Sequence, residues 1–536
     1  MTYEKRAQSI LKDAIKSAIY IDDNARGFYE IADNSIPEKE LSVNLYTNFK
    51  KAGISLEVFK YEKGMESSSE NLNFITENRD LVILDWNLEG KSGEYESLMI
   101  LNRVVNTNHI HFCTLYTVEP NLDDILKNIL CFFSGLSKEE FLEAKESCEI
   151  IFEGVNLDLF HQVNLNRNHS ESGRLIAQIL KENKNQVAEF REGQHIDDNK
   201  CAIIKASILN LLKNPILSDS RLHCPSFVDS EEYIVVINNT IITILNKSQN
   251  NAEELLGNFF HHIVNHVDSF NQLLGVELYN TLFRNSIITN DAVMSFSRDA
   301  LVFHRKKLKE ENLGYFFNSF MDEMLIEKIA VSLRDRKSEL LDDVLLDSFE
   351  ADLDGNTDQR EFQKMNVFYN SSFLKKVNKP LNFGDVFKIV NEEKYLICIT
   401  PLCDCLRPQD KTKGNFYFAE GQNVKLDTAL KTGDAAFISY LPNNVIIRWS
   451  EVSSEADINK IKLNPLYVKP VQYKILENQN IIDENNELTL HYLNREGIVK
   501  SKRIKYLSTI RPNYTQRIAN HAFSYPLRVG VDFAKV

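Results

Sequence analysis

Four oxygen-bearing side chains stand at the ends of short apolar runs in the first part of the chain. Asp22 and Asp23 close AIYIDDNA, Asp85 closes LVILD within LVILDWNLEG, and Thr117 closes FCTLYT. Three carboxylates brought together repel one another unless a cation sits among them. Such an oxygen-rich cluster with room for water suits Mg2+, which takes a few carboxylates and keeps part of its hydration shell. With the metal bound, Asp85 can act as a nucleophile toward a phosphoryl group and form an acyl phosphate. The metal would neutralise charge on the phosphoryl oxygens, and the Thr117 hydroxyl would donate a hydrogen bond to one of them. The plainer alternative is a buried strand followed by a turn, with Asp85 present for its turn chemistry.

These residues meet only if a fold brings them together. Apolar runs at 17–22 (SAIYID), 54–61 (ISLEVFKY), 80–85 (DLVILD), 109–117 (HIHFCTLYT) and 149–154 (EIIFEG) alternate with segments of helical periodicity such as KSGEYESLMILNRVV. Continuous apolar strands alternating with helices predict a parallel sheet covered on both faces. The expected fold is a multidomain chain whose N-terminal domain is flavodoxin-like α/β with a five-stranded parallel sheet. There the strand ends share one edge, where open α/β sheets place their ligands.

The remaining organisation follows from texture. Residues 1–170 form the α/β domain. Residues 171–342 are expected to be an all-α middle region, from long helical patterns such as AEELLGNFFHHIVNHVDSFNQLL with little Gly or Pro. An acidic, turn-rich linker is expected over 343–379. Over 380–536, short runs rich in β-branched and aromatic residues (GDVFKIV, KYLICITPL, NFYFAEG, AAFISYL, NVIIRWS) predict a mainly-β C-terminal domain, a small barrel or sandwich, with a terminal helix near TIRPNYTQRIANHAF.

Composition narrows the classes. The 536 residues carry 62 basic against 76 acidic side chains, a net −14, which argues against a protein that coats nucleic acid or anionic membrane over its whole surface. No apolar run is long enough to span a bilayer, and MTYEKRAQSILKDAIK lacks an apolar core of secretory type. Eight scattered cysteines form no disulfide framework and suit a reducing, cytoplasmic setting. Glycine is scarce at 19 residues, and neither a phosphate-binding loop nor a dinucleotide fingerprint is present.

Taken in order on their strands, IYIDDNA, LVILDWNL and CTLYT resemble the acidic pair, the phospho-acceptor strand and the hydroxyl-bearing strand of the receiver domains of two-component response regulators. DWNL and LYTVEP look closer to a divergent subgroup found in multidomain proteins encoded beside ATPase sensors and defence genes. The resemblance implies Asp85 as phospho-acceptor, Asp22 and Asp23 as metal-binding pair, the backbone carbonyl of Asn87 as a further ligand, and Thr117 as switch hydroxyl. It implies Mg2+ as cofactor, a histidine kinase or ATPase sensor as partner, and a separate effector. Receivers also place a lysine just after strand five. Here EIIFEGVN offers Glu153 near that place and no lysine, so the alternative is a receiver that has lost phosphorylation and serves as an interaction scaffold.

Other residues invite chemistry against plainer readings. His262 and His266 lie four apart in HHIVNH, with His261 beside them, as ligands or as ordinary helix histidines. DLDGNTDQREF superficially resembles a calcium loop, yet Thr357 stands where Gly is required and Gln363 where Glu is. In ITPLCDCLRP, Cys398, Cys403 and Cys405 with Asp404 suggest zinc, a nucleophile or simply core thiols, and Asp404 with Arg407 a ligand or partner site. From Lys500 onward basic residues dominate. Lys500, Lys502, Arg503 and Lys505, with Tyr506 and Tyr514 interleaved, support a third reading, a nucleic-acid-binding effector or regulator.

Overall fold

The computed structural model describes residues 2–26, 37–64, 69–88, 93–107, 109, 111–167, 171–266, 269–284, 297–310, 317, 326, 330, 337–351, 359–374, 378–406, 408, 412–432, 437–442, 444–450, 468–476 and 479–524. The chain divides into two units, one comprising residues 1–288 and 329–350, the other 289–328 and 351–536.

The first unit is built on an eight-stranded sheet with the order β2-β1-β3-β4-β8-β7-β6-β5. Its strands are β1 Ser17–Asp22, β2 Ser55–Lys60, β3 Leu81–Leu84, β4 Phe112–Thr117, β5 Asn166–Arg167, β6 Phe227–Asp229, β7 Ile234–Ile237 and β8 Thr240–Asn246. The first four and β8 are parallel, an order of flavodoxin type. From β8 the sheet continues as an antiparallel meander through β7 and β6 to β5. Strands β3, β4 and β8 are buried at every residue, as continuous apolar runs in a covered parallel sheet must be. One face packs on Ala7, Leu11, Phe259 and Leu273 from the helices Tyr3–Ala14, Leu255–Asn265 and Ser269–Arg284. The other packs on Leu98, Leu101, Ile125 and Ile129 from the helices Glu94–Val105 and Leu122–Phe132.

Two expectations are corrected here. The run EIIFEG is not the fifth strand. Glu149–Ile151 end the helix Lys138–Ile151, which opens with a capping box between Ser137 and Glu140. Its buried residues are Phe141, Ala144 and Cys148, a helical stripe, whereas Ile150 is 70% exposed. Nor is the middle region all helix. IVVINNTIITILN forms the β7–β8 hairpin around Asn238, which takes the positive φ of 53° that such a tight turn demands. Its Ile, Val and Thr branches suit a pleated surface. Between β4 and β8 lies an inserted helical layer with its own core, in which Phe141, Phe160, Phe190, Ile203 and Leu209 are buried together.

The segment expected as a linker begins with a helix, Asp343–Ala351, whose Leu345 is buried with Leu340 in the core beneath the first helix. Arg6 pairs with Asp342 at 2.8 Å, and the buried Glu277 carboxylate accepts from the Ser338 hydroxyl at 2.6 Å and the Glu339 amide at 2.7 Å.

In the second unit, strands Asp385–Ile389, Tyr395–Cys398, Asn415–Asn423, Pro470–Lys474, Glu487–Leu493 and Val499–Ile510 pair antiparallel in a closed ring. Of the two architectures that the turn-punctuated β-branched runs predict, a small barrel or a sandwich, this is the barrel. Phe387, Phe418, Leu490, Ile504 and Tyr506 fill its interior, and the terminal helix Pro512–Ser524 buries Ile518 and Ala522 against Trp449.

Candidate phosphoryl-accepting site

The carboxyl edge of the parallel strands gathers the predicted residues. Asp22 is the last residue of β1, Asp85 follows β3, and Thr117 ends β4. The Asp85 amide donates to the Ile21 carbonyl at 2.9 Å, which ties the two acidic strand ends together. Asp22 is 1% exposed, Asp85 6% and Thr117 0%.

The residue that sequence reasoning missed is Lys247, immediately after β8. Thr117 and Asn246 are register partners, and the Lys247 amide donates to the Thr117 carbonyl at 2.6 Å. This places the lysine one residue past β8, the fifth parallel strand, on the shared edge. Its Nζ lies 2.7 Å from Asp22 Oδ2 and 2.7 Å from Asp85 Oδ1. Burial pulls this ammonium toward neutrality, but Asp22 and Asp85 outweigh it and raise its pKa above the ordinary lysine value. The signal was present in TIITILNK, an apolar β-branched run ending in a lysine. The inserted helices carry it far along the chain from Thr117, out of the window in which a fifth strand was sought. Glu153, the residue nearest the expected place by sequence, follows the helix Lys138–Ile151.

Burial raises the Asp85 carboxyl to about 6; Lys247 opposes that rise and Asp22 adds to it. Asp85 Oδ2 accepts from the Asn87 amide at 3.2 Å, and the Asp85 carbonyl accepts from the Ser97 hydroxyl at 2.9 Å. The Asn87 side chain donates to Glu119 at 2.8 Å. Thr117 Oγ1 accepts from the Glu119 amide at 3.1 Å, so the hydroxyl proton is the part it can offer a ligand. Asp23, half-buried, takes a hydrogen bond from the Asn24 side chain at 2.9 Å.

Among the described residues, no group of three or more His, Cys, Asp or Glu side chains is set to hold a metal ion. The donor chemistry nonetheless fits a divalent cation. Asp22, Asp23 and Asp85 carry three negative charges against the single ammonium of Lys247, and Asn87 Oδ1 is buried with no hydrogen-bond partner. A deficit of positive charge among oxygens is what Mg2+ offsets.

The other candidates do not assemble comparable sites. His262 Nδ1 pairs with Glu232 at 2.8 Å and His261 meets Asn265, so the histidines point to separate partners. Cys398 and Cys405 are buried and Cys403 is exposed, with its thiol 3.6 Å from Asp404. Arg407 and most of the calcium-loop segment, 352–358, lie outside the described residues. Lys500, Lys502, Arg503 and Lys505 share the barrel strand Val499–Ile510. Two of these are engaged in ion pairs, Lys502 with Glu392 at 2.7 Å and Arg503 with Glu487 at 3.3 Å. Tyr506 is buried in the barrel, so it offers no ring for a base to stack on.

The response receiver domain model matches residues 14–167. That span contains Asp22, Asp85 and Thr117 but ends before β8 and Lys247. No curated protein and no solved structure matches the chain. No described helix is long and apolar enough to cross a membrane. The parallel order and the acidic edge agree with the matched span, so residues 14–167 carry a receiver-type domain.

Proposed function

We propose that the first unit accepts a phosphoryl group on Asp85 and that the chain works in two-component-type signalling. The observation that carries this reading is the Lys247 ammonium held 2.7 Å from both Asp22 and Asp85 at the end of the fifth parallel strand. A cation at that place neutralises the phosphoryl oxygens as the P–N bond of a phosphohistidine donor breaks and an O–P bond to Asp85 forms. Asp22, Asp23, Asp85 and the Asn87 carbonyl would hold Mg2+, which supplies further charge neutralisation. The Thr117 hydroxyl donates to a phosphoryl oxygen. The scaffold reading rested on the apparent lack of a lysine, and Lys247 removes that ground.

In this proposal the chain works in the cytoplasm, the donor is a partner histidine kinase, and the output is a separate effector. Incubation with radiolabelled acetyl phosphate and Mg2+ tests the acceptor. Wild type should take up label and Asp85→Asn none; an unlabelled wild type sinks the reading. From the resemblance of DWNL and LYTVEP alone, the pathway is assigned to defence against phage. Equal plaque counts on cells carrying wild type or Asp85→Asn would reject that setting.

A further inference from the structure

Asp22 accepts from three donors. Its Oδ1 accepts from the Asn24 amide at 2.7 Å. Its Oδ2 accepts both Lys247 Nζ at 2.7 Å and the Tyr20 hydroxyl at 2.5 Å. Tyr20 sits two residues before Asp22 on β1, so strand alternation puts both side chains on the same face. The Lys247 ammonium also lies 5.9 Å from the centre of the Tyr20 ring and 5.7 Å from that of Tyr116, within cation–π range of both. Tyr116 is itself fixed, because its hydroxyl donates to the Asn250 carbonyl. The Asn250 side chain in turn donates to the Asn246 carbonyl at 2.9 Å, in the turn that carries Lys247. The lysine is thus caged by two tyrosine rings and two carboxylates, with 9% of its side chain exposed.

From this geometry we infer that Tyr20 is a positioning residue for phosphoryl acceptance. Its hydroxyl anchors the Asp22 carboxylate, and that carboxylate holds the Lys247 ammonium over Asp85. Asp22 then anchors the lysine in the resting site, besides being one of the three carboxylates that would face the cation. The inference rests on the reading of Asp85 as acceptor, but the position of Lys247 is measurable without any phosphodonor.

The test is amine acetylation by an activated acetyl ester, read at each lysine by mass spectrometry, on unphosphorylated wild type and Tyr20→Phe. In wild type Lys247 should react far more slowly than exposed Lys500. In Tyr20→Phe its rate should rise about tenfold, the scale of one charge-assisted hydrogen bond, while other lysines keep theirs. Acetyl-phosphate labelling of Asp85 should fall about tenfold in Tyr20→Phe, yet change by less than about twofold when the same substitution is made in a Lys247→Ala background. An unchanged Lys247 rate overturns the inference, and so does a general rise at all lysines, which would make Tyr20 a support of the fold. If Lys247 is released but wild type takes no label, the positioning stands and the acceptor reading falls.

Discussion

Replacing Lys247 by Ala should slow phosphoryl labelling of Asp85 about 100-fold, the scale on which one preorganised charge partner of a transition state acts. The protein should also bind Mg2+ more tightly, as calorimetric titration would show. Both effects have one origin. In the resting site the ammonium satisfies Asp85 Oδ1 and Asp22 Oδ2 at 2.7 Å each, so an incoming cation competes with it for the same charge. Removing the ammonium leaves two buried carboxylates uncompensated, and the cation becomes their sole source of positive charge. Once a phosphoryl group arrives, its oxygens face no ammonium and the barrier rises. A variant that lost labelling and Mg2+ binding together would show instead that Lys247 merely holds the edge together.

The second large effect concerns stability. Asp85→Asn should be more stable than wild type at pH 7.5 by up to about 3 kcal/mol, and the gap should close as pH falls. The sign follows from burial. Folding raises the Asp85 carboxyl from 3.8 to about 6. The folded state therefore binds this proton more tightly than the unfolded chain, and the ionised form costs stability above pH 6. Lowering the pH through 6 recovers that stability, and recovery is complete only below about 3.8, where the unfolded carboxyl is protonated too. Asparagine carries no such charge, so its curve lacks this component. Urea unfolding of both proteins between pH 4 and 8 measures the gap, and a pH-independent difference would refute the assignment. A site that sacrifices stability for a poised charge is a common arrangement where function demands it.

Much of this site was legible in the sequence because its acidic half is local. Each of Asp22, Asp85 and Thr117 ends an apolar run that alternates with helical segments, and parallel pairing puts such strand ends on one edge. Lys247 was not legible for a physical reason: a short apolar run does not declare its period. IIF at 150–152 and IITIL at 241–245 are both short apolar runs, and only the first ends a helix opened by a cap, Ser137 with Glu140. The exposure of Ile150, visible only in three dimensions, separates them. The barrel was easier, because its antiparallel strands are short and punctuated by turns. Tyr20 was passed over as one more apolar residue of β1, since its hydroxyl has meaning only once Asp22 and Lys247 are known to converge.

The helical insertion also bears on how this protein is made. β4 pairs with β8 directly, and everything between Thr117 and Thr240 is a loop that must close first. For a chain segment of that length the closure entropy is about 4 kcal/mol, which slows the pairing. During synthesis the acidic edge of β1, β3 and β4 is therefore complete long before its ammonium exists. A nascent or truncated chain ending short of residue 247 would display repelling carboxylates and a bare β4 edge. Competence arrives with β8, the last strand of the sheet in chain order, so the assembled site reports that the whole sheet has formed.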